Sequence, residues 1–459
     1  MADYDLIVVG GGPAGYVGAI RAGQLGKKVA CVEMDRAGGT CLNWGCIPTK
    51  SLLKNAEVYQ LLTHHAADFG LKVEGVSFEW DKIIGRSRKV ADKLAGGIEM
   101  LFKKNKIDYI RGTAAVPKAG VVEVIDKDGK KKEIKGKNIL IATGVVSREM
   151  PGFPFNGTSV IGSKQAMVLA EQPKDIIVIG AGAIGIEFAY FFNAFGTKVT
   201  VIEMLPNILP VEDTEVSVAL EKSLTKQGMK ILAGTKVEKA EATDKGVKLT
   251  VSGKTSETVE ASVALVAIGV SPILPQGIKL ETDQKGWLKT DGNYETNVKG
   301  IYAAGDIIGP PWLAHVASFE AVQAVEGMFG VTKPKKVEIY PGCTYCQPQV
   351  ASVGLTERAA KEKGLKYSVG KFPFLASGKA LAVGEPDGFV KLLVGEPHGE
   401  ILGAHIIGAD ATEMIAELDL AITLEATYEE IIATIHAHPT LSEAVHEAAH
   451  ASHGHAIHF

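Results

Sequence analysis

The run Leu6-Ile7-Val8-Val9-Gly10-Gly11-Gly12-Pro13-Ala14-Gly15, with an acid further on at Glu33, reads as a buried strand, a glycine turn and the start of a helix. In such a turn the first glycine makes the bend, the second lets backbone approach a pyrophosphate, and the third packs helix against strand. The helix N-terminus then faces the phosphates. The same unit recurs downstream: residues 6–34 laid on 176–204, at a constant offset of 170, give 11 identities in 29 pairs. The second copy carries Gly180-Ala181-Gly182-Ala183-Ile184-Gly185 and ends on Glu203. In each copy the acid stands where a carboxylate accepts hydrogen bonds from a ribose, so two different dinucleotides are expected. At the second site Glu203 repels a 2′-phosphate, and Met204-Leu205-Pro206-Asn207 offers no basic residue to accommodate one. NAD is therefore expected there rather than NADP.

Outward from these units, each copy is closed by an apolar strand ending in glycine, Asn138 to Gly144 in the first and Ala264 to Gly269 in the second. Between them, Val121 to Ile134 reads as a hairpin turning at Asp128-Gly129, with the lysines from Lys127 to Lys137 on a solvated turn. Thr296 to Asp306 reads as a further strand ending at an acid, which is either part of the first site or a plain helix cap. After about residue 340 the texture changes to strands around Val350 to Val353, Gly388 to Val394 and Ile401 to Ile407, then helices from Ala411 onward, a separate α+β domain. Domains are thus expected at 1–148, 149–270, 271–340 and 341–459. The chain of 459 residues is long enough for several full cores. Its 49 basic and 53 acidic side chains give a net charge of −4, no footprint for nucleic acid. The longest apolar stretches are far short of the roughly 20 residues that cross a bilayer, and Asp3 and Asp5 stand where a signal peptide is basic. A cytoplasmic protein with neither nucleic acid nor membrane as partner is expected.

Five cysteines occur, and two of them, Cys41 and Cys46, lie in Gly38-Gly39-Thr40-Cys41-Leu42-Asn43-Trp44-Gly45-Cys46-Ile47-Pro48-Thr49-Lys50. An i,i+5 pair on an ideal helix rises about 7.5 Å, beyond the usual disulfide Cα spacing of about 4.4 to 6.8 Å. A bridge needs a distorted first turn, which Gly45 supplies; Pro48 is tolerated in that turn, and Ser51 to Leu62 continues the helix. Cys46 then sits near a helix N-terminus with Lys50 one turn on, a setting that favours thiolate. The alternatives are ordinary buried thiols or half a metal site; in a reducing compartment a redox pair is the better reading.

These residues, with Ala142-Thr143-Gly144, Tyr302 to Asp306, Leu313-Ala314-His315 and His436-Ala437-His438-Pro439-Thr440-Leu441-Ser442-Glu443, carry a resemblance. The chain resembles, nearly end to end, the flavin disulfide oxidoreductases, the class I pyridine nucleotide-disulfide oxidoreductase family, and within it the members that oxidise dihydrolipoamide. The resemblance implies an α/β fold of two Rossmann-like domains, for FAD and NAD, plus a C-terminal dimerisation domain. It implies FAD on Gly10, Gly12, Pro13, Ala14, Gly15, Glu33, Gly39, Thr40, Cys41, Lys50, Ala114, Thr143, Gly144, Asp306 and Ala314, and NAD on Gly180, Ala181, Gly182, Ala183, Ile184, Glu203, Val237 and Gly269. Cys41 is implied as the interchange thiol, Cys46 as the thiol against the flavin, and Lys50 as paired with Glu187. On local sequence alone Glu187 is a surface residue of an exposed helix face. His438 is the implied acid/base, held by Glu443 inside the helix that begins after Pro439; local sequence alone reads His438 as a helix N-cap. In the family that segment comes from the partner subunit, which implies a homodimer. The implied reaction reduces NAD with dihydrolipoamide by way of the cysteine pair and FAD. Implied partners are the lipoyl domains and E2 core of 2-oxo acid dehydrogenase complexes, or the glycine cleavage lipoyl protein.

The chain departs from the family pattern in Val270-Ser271-Pro272, where an Arg usually follows the glycine, and in Cys343 and Cys346, where Thr-x-Pro-Glu is expected. Reduced structural thiols are the expectation for that pair, as is a small buried hydrophobe for Cys31, and no metal is expected. His446, His450, His453, His455 and His458 read as a solvated helix and tail. Reduction of glutathione or trypanothione would want basic residues near Glu203, and mercuric reduction a C-terminal cysteine pair; both are missing. A non-catalytic flavoprotein scaffold has no need of Cys41, Cys46, His438 and Glu443.

Overall fold

The computed structural model describes residues 3–243, 245–253 and 256–459. The chain divides into two compact units. The first comprises 3–51, 82–148 and 269–338. Its centre is a parallel sheet in the spatial order Asp108–Arg111, Val29–Glu33, Tyr4–Val9, Lys131–Ile141, Ile301–Ala303. Both faces are covered. Leu6 and Val8 pack with Ala14, Ala19 and Ala22 of helix Pro13–Gln24, whereas Ile7 and Val9 join Val122, Ile139 and Ile301 in a second cluster. That explains why these strands read as unbroken apolar runs. Lys131–Ile141 is long because its first half also closes the expected hairpin with Val121–Ile125, turning at Gly129. It stops at Ile141, three residues short of the expected end.

The second unit comprises 52–81, 149–268 and 339–459. It repeats the parallel arrangement with Lys230–Leu232, Lys198–Ile202, Asp175–Ile179, Val263–Val266 and Val160–Ile161. A separate antiparallel sheet of Lys236–Thr243, Gly246–Ser252 and Ser256–Ala261 lies in the same unit. Its C-terminal part is a five-stranded antiparallel sheet, in the order Gly342–Thr344, Gln349–Gly354, Ile401–Gly408, Phe389–Gly395, Tyr367–Pro373. Helices Ala411–Thr423, Tyr428–Ala433 and Glu443–Ala451 supply Ile415, Leu418, Ile431, Val445 and Ala448 to the core of that part. The α/β class, the duplicated parallel unit and the α+β C-terminal part are as expected from the sequence.

Candidate active site

The two glycine turns are built alike. At Gly10 the backbone takes φ +102°, and a Cβ there would stand 2.3 Å from the carbonyl oxygen of Ala142; at Gly180 the corresponding distance, to Ala267, is 2.5 Å. Only glycine fits where the closing strand comes this near. Glu33 ties its turn together, Oε2 accepting from Gly11 N at 2.6 Å and Oε1 from Asp35 N at 2.8 Å. Glu203 does the same with Ala181 N at 2.7 Å and Leu205 N at 2.8 Å. Neither helix, Pro13–Gln24 nor Ala183–Ala194, has a side-chain N-cap, so first-turn N–H groups face outward at both sites, the arrangement that takes an anion.

Other expected residues of the first site belong to the first unit. Thr143 and Gly144 follow the closing strand, with Thr143 Oγ1 donating to Ile273 O at 2.6 Å. Ala114 lies in strand Thr113–Lys118, and Ala314 opens helix Ala314–Met328. Asp306 opens a short 3-10 turn, and burial pushes its carboxyl up to about 6. For the second site, Val237 lies in strand Lys236–Thr243 of the second unit, whereas Gly269 falls in the first.

The cysteine segment folds as two helices, Gly39–Trp44 and Cys46–Gln60, broken at Gly45. The distortion expected in a first helical turn is thus a full break. A Cβ on Gly45 would press to 3.0 Å from Thr40 O. The break brings the two thiols into hydrogen-bond contact, and that bond, with burial behind it, raises the Cys41 pKa, against the nearby charge of Lys50. Cys46 is the first residue of its helix, as expected; Thr49 Oγ1 donates to Gly45 O at 2.7 Å. The helix ends at Gln60, and a π turn covers Leu61–His65.

His438 and Glu443 form the expected pair, Nδ1 to Oε1 at 2.8 Å, with the ring 79% exposed. Burial raises the Glu443 carboxyl, but the Thr440 N–H and the His438 ring outweigh it and hold the pKa below the usual value. Glu443 opens its helix, which starts later than expected, and His438 stands five residues before it rather than capping it. A second pair escaped the sequence: His436 Nε2 meets Glu417 Oε1 at 2.7 Å while Nδ1 meets Thr434 O at 3.0 Å. The His-x-His spacing was its only local signal.

Glu187 is a correction to the local reading. Its helix carries nine buried residues, Glu187 among them, and its Oε1 accepts from Tyr345 N at 3.0 Å. Cys346 is buried, its thiol 3.2 Å from Pro348 O, and Cys31 is fully buried in its strand. Of the histidines expected to be solvated, His446 and His450 are half-buried on their helix, whereas His453, His455 and His458 are exposed but clipped down: His458 Nδ1 meets Glu447 Oε1 at 2.8 Å, and the His453 ring stacks on Tyr428 at 3.9 Å. Among the described residues no cluster of three or more potential ligands could hold a metal, and no helix is long and apolar enough to cross a membrane.

Residues 4–321 match the pyridine nucleotide-disulphide oxidoreductase family, and residues 340–449 match its dimerisation domain. The chain is 45% identical to a dihydrolipoyl dehydrogenase of Zymomonas mobilis, over 100% of both chains. It is 44% identical to that of Bacillus subtilis, over 100% of this chain and 99% of the relative. Among solved structures, LpdA from Mycobacterium tuberculosis superposes with a TM-score of 0.89 at 25% identity, covering 97% of this chain and 98% of that one. A doubled glycine turn, a cysteine pair on a broken helix and full-length likeness of this kind have one reading: the chain belongs to the pyridine nucleotide-disulphide oxidoreductases.

Proposed function

We propose that the chain is an enzyme that oxidises dihydrolipoyl groups to lipoyl groups and reduces NAD to NADH, through a Cys41–Cys46 disulfide and FAD. The observation that carries this reading is the apposition of the two thiols across Gly45, in a chain whose full-length relatives are dihydrolipoyl dehydrogenases. The first glycine turn suits FAD and the second NAD. Both have open helix N-termini, and the first also has a buried acceptor without a partner, Asn43 Oδ1, close to Gly39. Bound FAD supplies the two-electron relay between the dithiol and the nicotinamide.

The remaining chemistry belongs to side chains. With Glu443 ionised and accepting at Nδ1, the lone pair of His438 lies on Nε2, where it takes a proton from the substrate dithiol. The resulting thiolate attacks Cys41 Sγ; the Cys41–Cys46 bond breaks, and Cys46 leaves as thiolate at its helix N-terminus. The second substrate thiol displaces Cys41 and closes the lipoyl disulfide. Two electrons pass to NAD and one proton is released per turnover. The nearby positive charge of Lys50 favours the thiolate form of Cys41. Residues 1–148 with 271–340 form the FAD part, 149–270 the NAD part, and 341–459 the dimerisation domain of a cytoplasmic homodimer. Its partners are the lipoyl domains and E2 core of 2-oxo acid dehydrogenase complexes, or the glycine cleavage lipoyl protein.

The test is anaerobic NAD reduction by dihydrolipoamide with purified FAD-loaded protein, beside Cys41→Ser and with glutathione and NADPH as controls. Rapid NADH formation that disappears in the variant, with FAD retained, is expected. Absence of NADH from dihydrolipoamide despite bound FAD would exclude the assignment.

A further inference from the structure

The segment from Cys41 to Ser51 is gripped from outside by a single helix, Trp80–Lys104. Arg88 Nη1 donates to the carbonyl of Asn43 at 2.7 Å, and the guanidinium lies 4.9 Å from the centroid of the Trp44 ring. Trp44 is itself fixed, Nε1 donating to Asp35 Oδ2 at 2.8 Å. Two residues earlier on the helix, Arg86 Nη1 donates to Ser51 at both its carbonyl, 3.0 Å, and its hydroxyl, 2.7 Å. Ser87 between them is fully buried, which seats the helix in place. The two guanidinium groups therefore hold main-chain carbonyls on either side of Gly45 and Cys46.

The first contact has a plain physical cause. Gly39–Trp44 is a short helix, and its last carbonyls have no partner within it. An arginine from a neighbouring element satisfies one of them and adds a favourable charge at the helix C-terminus. The consequence for chemistry lies in the broken state of the disulfide. Once the S–S bond opens, the effective concentration of one thiol at the other is set by the freedom of the Gly45 turn, and whatever restrains the turn raises it.

We propose that Arg88, with Arg86 at the far end, is a positioning residue for the cysteine pair, restraining the Gly45 turn so that the two sulfurs stay apposed after their bond opens. The proposal rests on the redox reading of Cys41 and Cys46. In the test, FAD-loaded wild type, Arg88→Met and Arg88→Lys are equilibrated with dithiothreitol and its cyclic disulfide. In that exchange the reagent's two thiols are oxidised, and the Cys41–Cys46 bond is reduced to two thiols. Alkylation followed by mass analysis reads the fraction opened.

Arg88→Met should lower the equilibrium for disulfide formation about tenfold, which corresponds to an upward shift of about 30 mV. Arg88→Lys, which keeps the charge and one donor but loses the planar fork, should fall between. Dihydrolipoamide turnover should drop several-fold in Arg88→Met, while FAD content and NADH-driven reduction of ferricyanide, which needs no thiol, stay at wild-type levels. An unchanged couple in both variants overturns the proposal. So does parallel loss of FAD, ferricyanide reduction and turnover in both, since that marks a merely structural arginine. A wild type without a titratable pair overturns the redox reading itself, and the two failures are thereby told apart.

Discussion

Glu212 is 7% exposed, and its Oε2 has no hydrogen-bond partner among the described residues. Burial pushes the carboxyl from 4.5 up to about 7, against the Ser352 hydroxyl that lowers it, and the neighbouring Asp213 adds to the rise. A folded-state pKa raised in this way means that the folded protein keeps a proton that the unfolded chain has released, between about 4.5 and 7. Stability from this group therefore falls as pH rises through that window, and above it the whole penalty, up to about 3 kcal/mol, is present. Glu212→Gln removes the ionisation. Its thermal midpoint should exceed that of wild type by more at pH 8 than at pH 5, measured by calorimetry; an equal difference at both pH values refutes this. Such environments cannot be read from sequence, because nothing near Glu212 along the chain announces that Ser352 will face it. The residues that could be read were those whose type is dictated by close approach: Gly10 and Gly180 declare themselves because no other residue fits.

At the scale of elements, helix Thr214–Lys226 is joined to the C-terminal sheet through a buried cation. Lys391, fully buried in strand Phe389–Gly395, reaches Asp213 at 2.9 Å, Glu215 at 3.1 Å and Glu357 at 2.7 Å. Burial opposes its charge, yet the three carboxylates prevail and raise its pKa. Lys391→Met leaves the carboxylate of Asp213 as uncompensated buried charge, a loss of about 3–5 kcal/mol. The thermal midpoint should fall by roughly 10 °C, with part of the loss recovered in Lys391→Met/Asp213→Asn; a fall of under a degree would show the cluster to be idle. Strand Tyr367–Pro373 carries Gly370 and Pro373, both of which weaken a strand signal in sequence, and its edge position tolerates both. Helix Ala183–Ala194 misled for the opposite reason. Phe188, Phe191 and Phe192 bury it all round among Tyr59, Trp80 and Phe195, so no polar face remained against which Glu187 could be judged.

For the whole molecule, the duplicated unit, the closing strands and the change of texture near residue 340 were legible because each follows from periodicity over long runs. No local signal joins His438 to Cys41; their pairing in one site is what the family resemblance implies. If the dimer shares its sites, as the family resemblance implies, chains carrying Cys41→Ser and His438→Gln should complement each other. A hybrid dimer then holds one intact site and one doubly damaged site, and roughly half the wild-type activity should return. The check is to co-express the chains under two affinity tags, isolate hybrids and assay NAD reduction by dihydrolipoamide; inactive hybrids would place both residues in one subunit.

The carboxylates of Glu33 and Glu203 brace their own glycine turns through bonds that involve no residue outside the strand-turn-helix-strand unit. A unit that carries its own brace can be copied within a gene and still arrive ready-made. What it cannot bring along is the carbonyl that closes over the first glycine, supplied by Ala142 in one copy and Ala267 in the other. Each copy is therefore complete only together with its closing strand, whereas the segments lying between turn and closing strand differ, a long helix and hairpin in one half and a three-stranded sheet in the other.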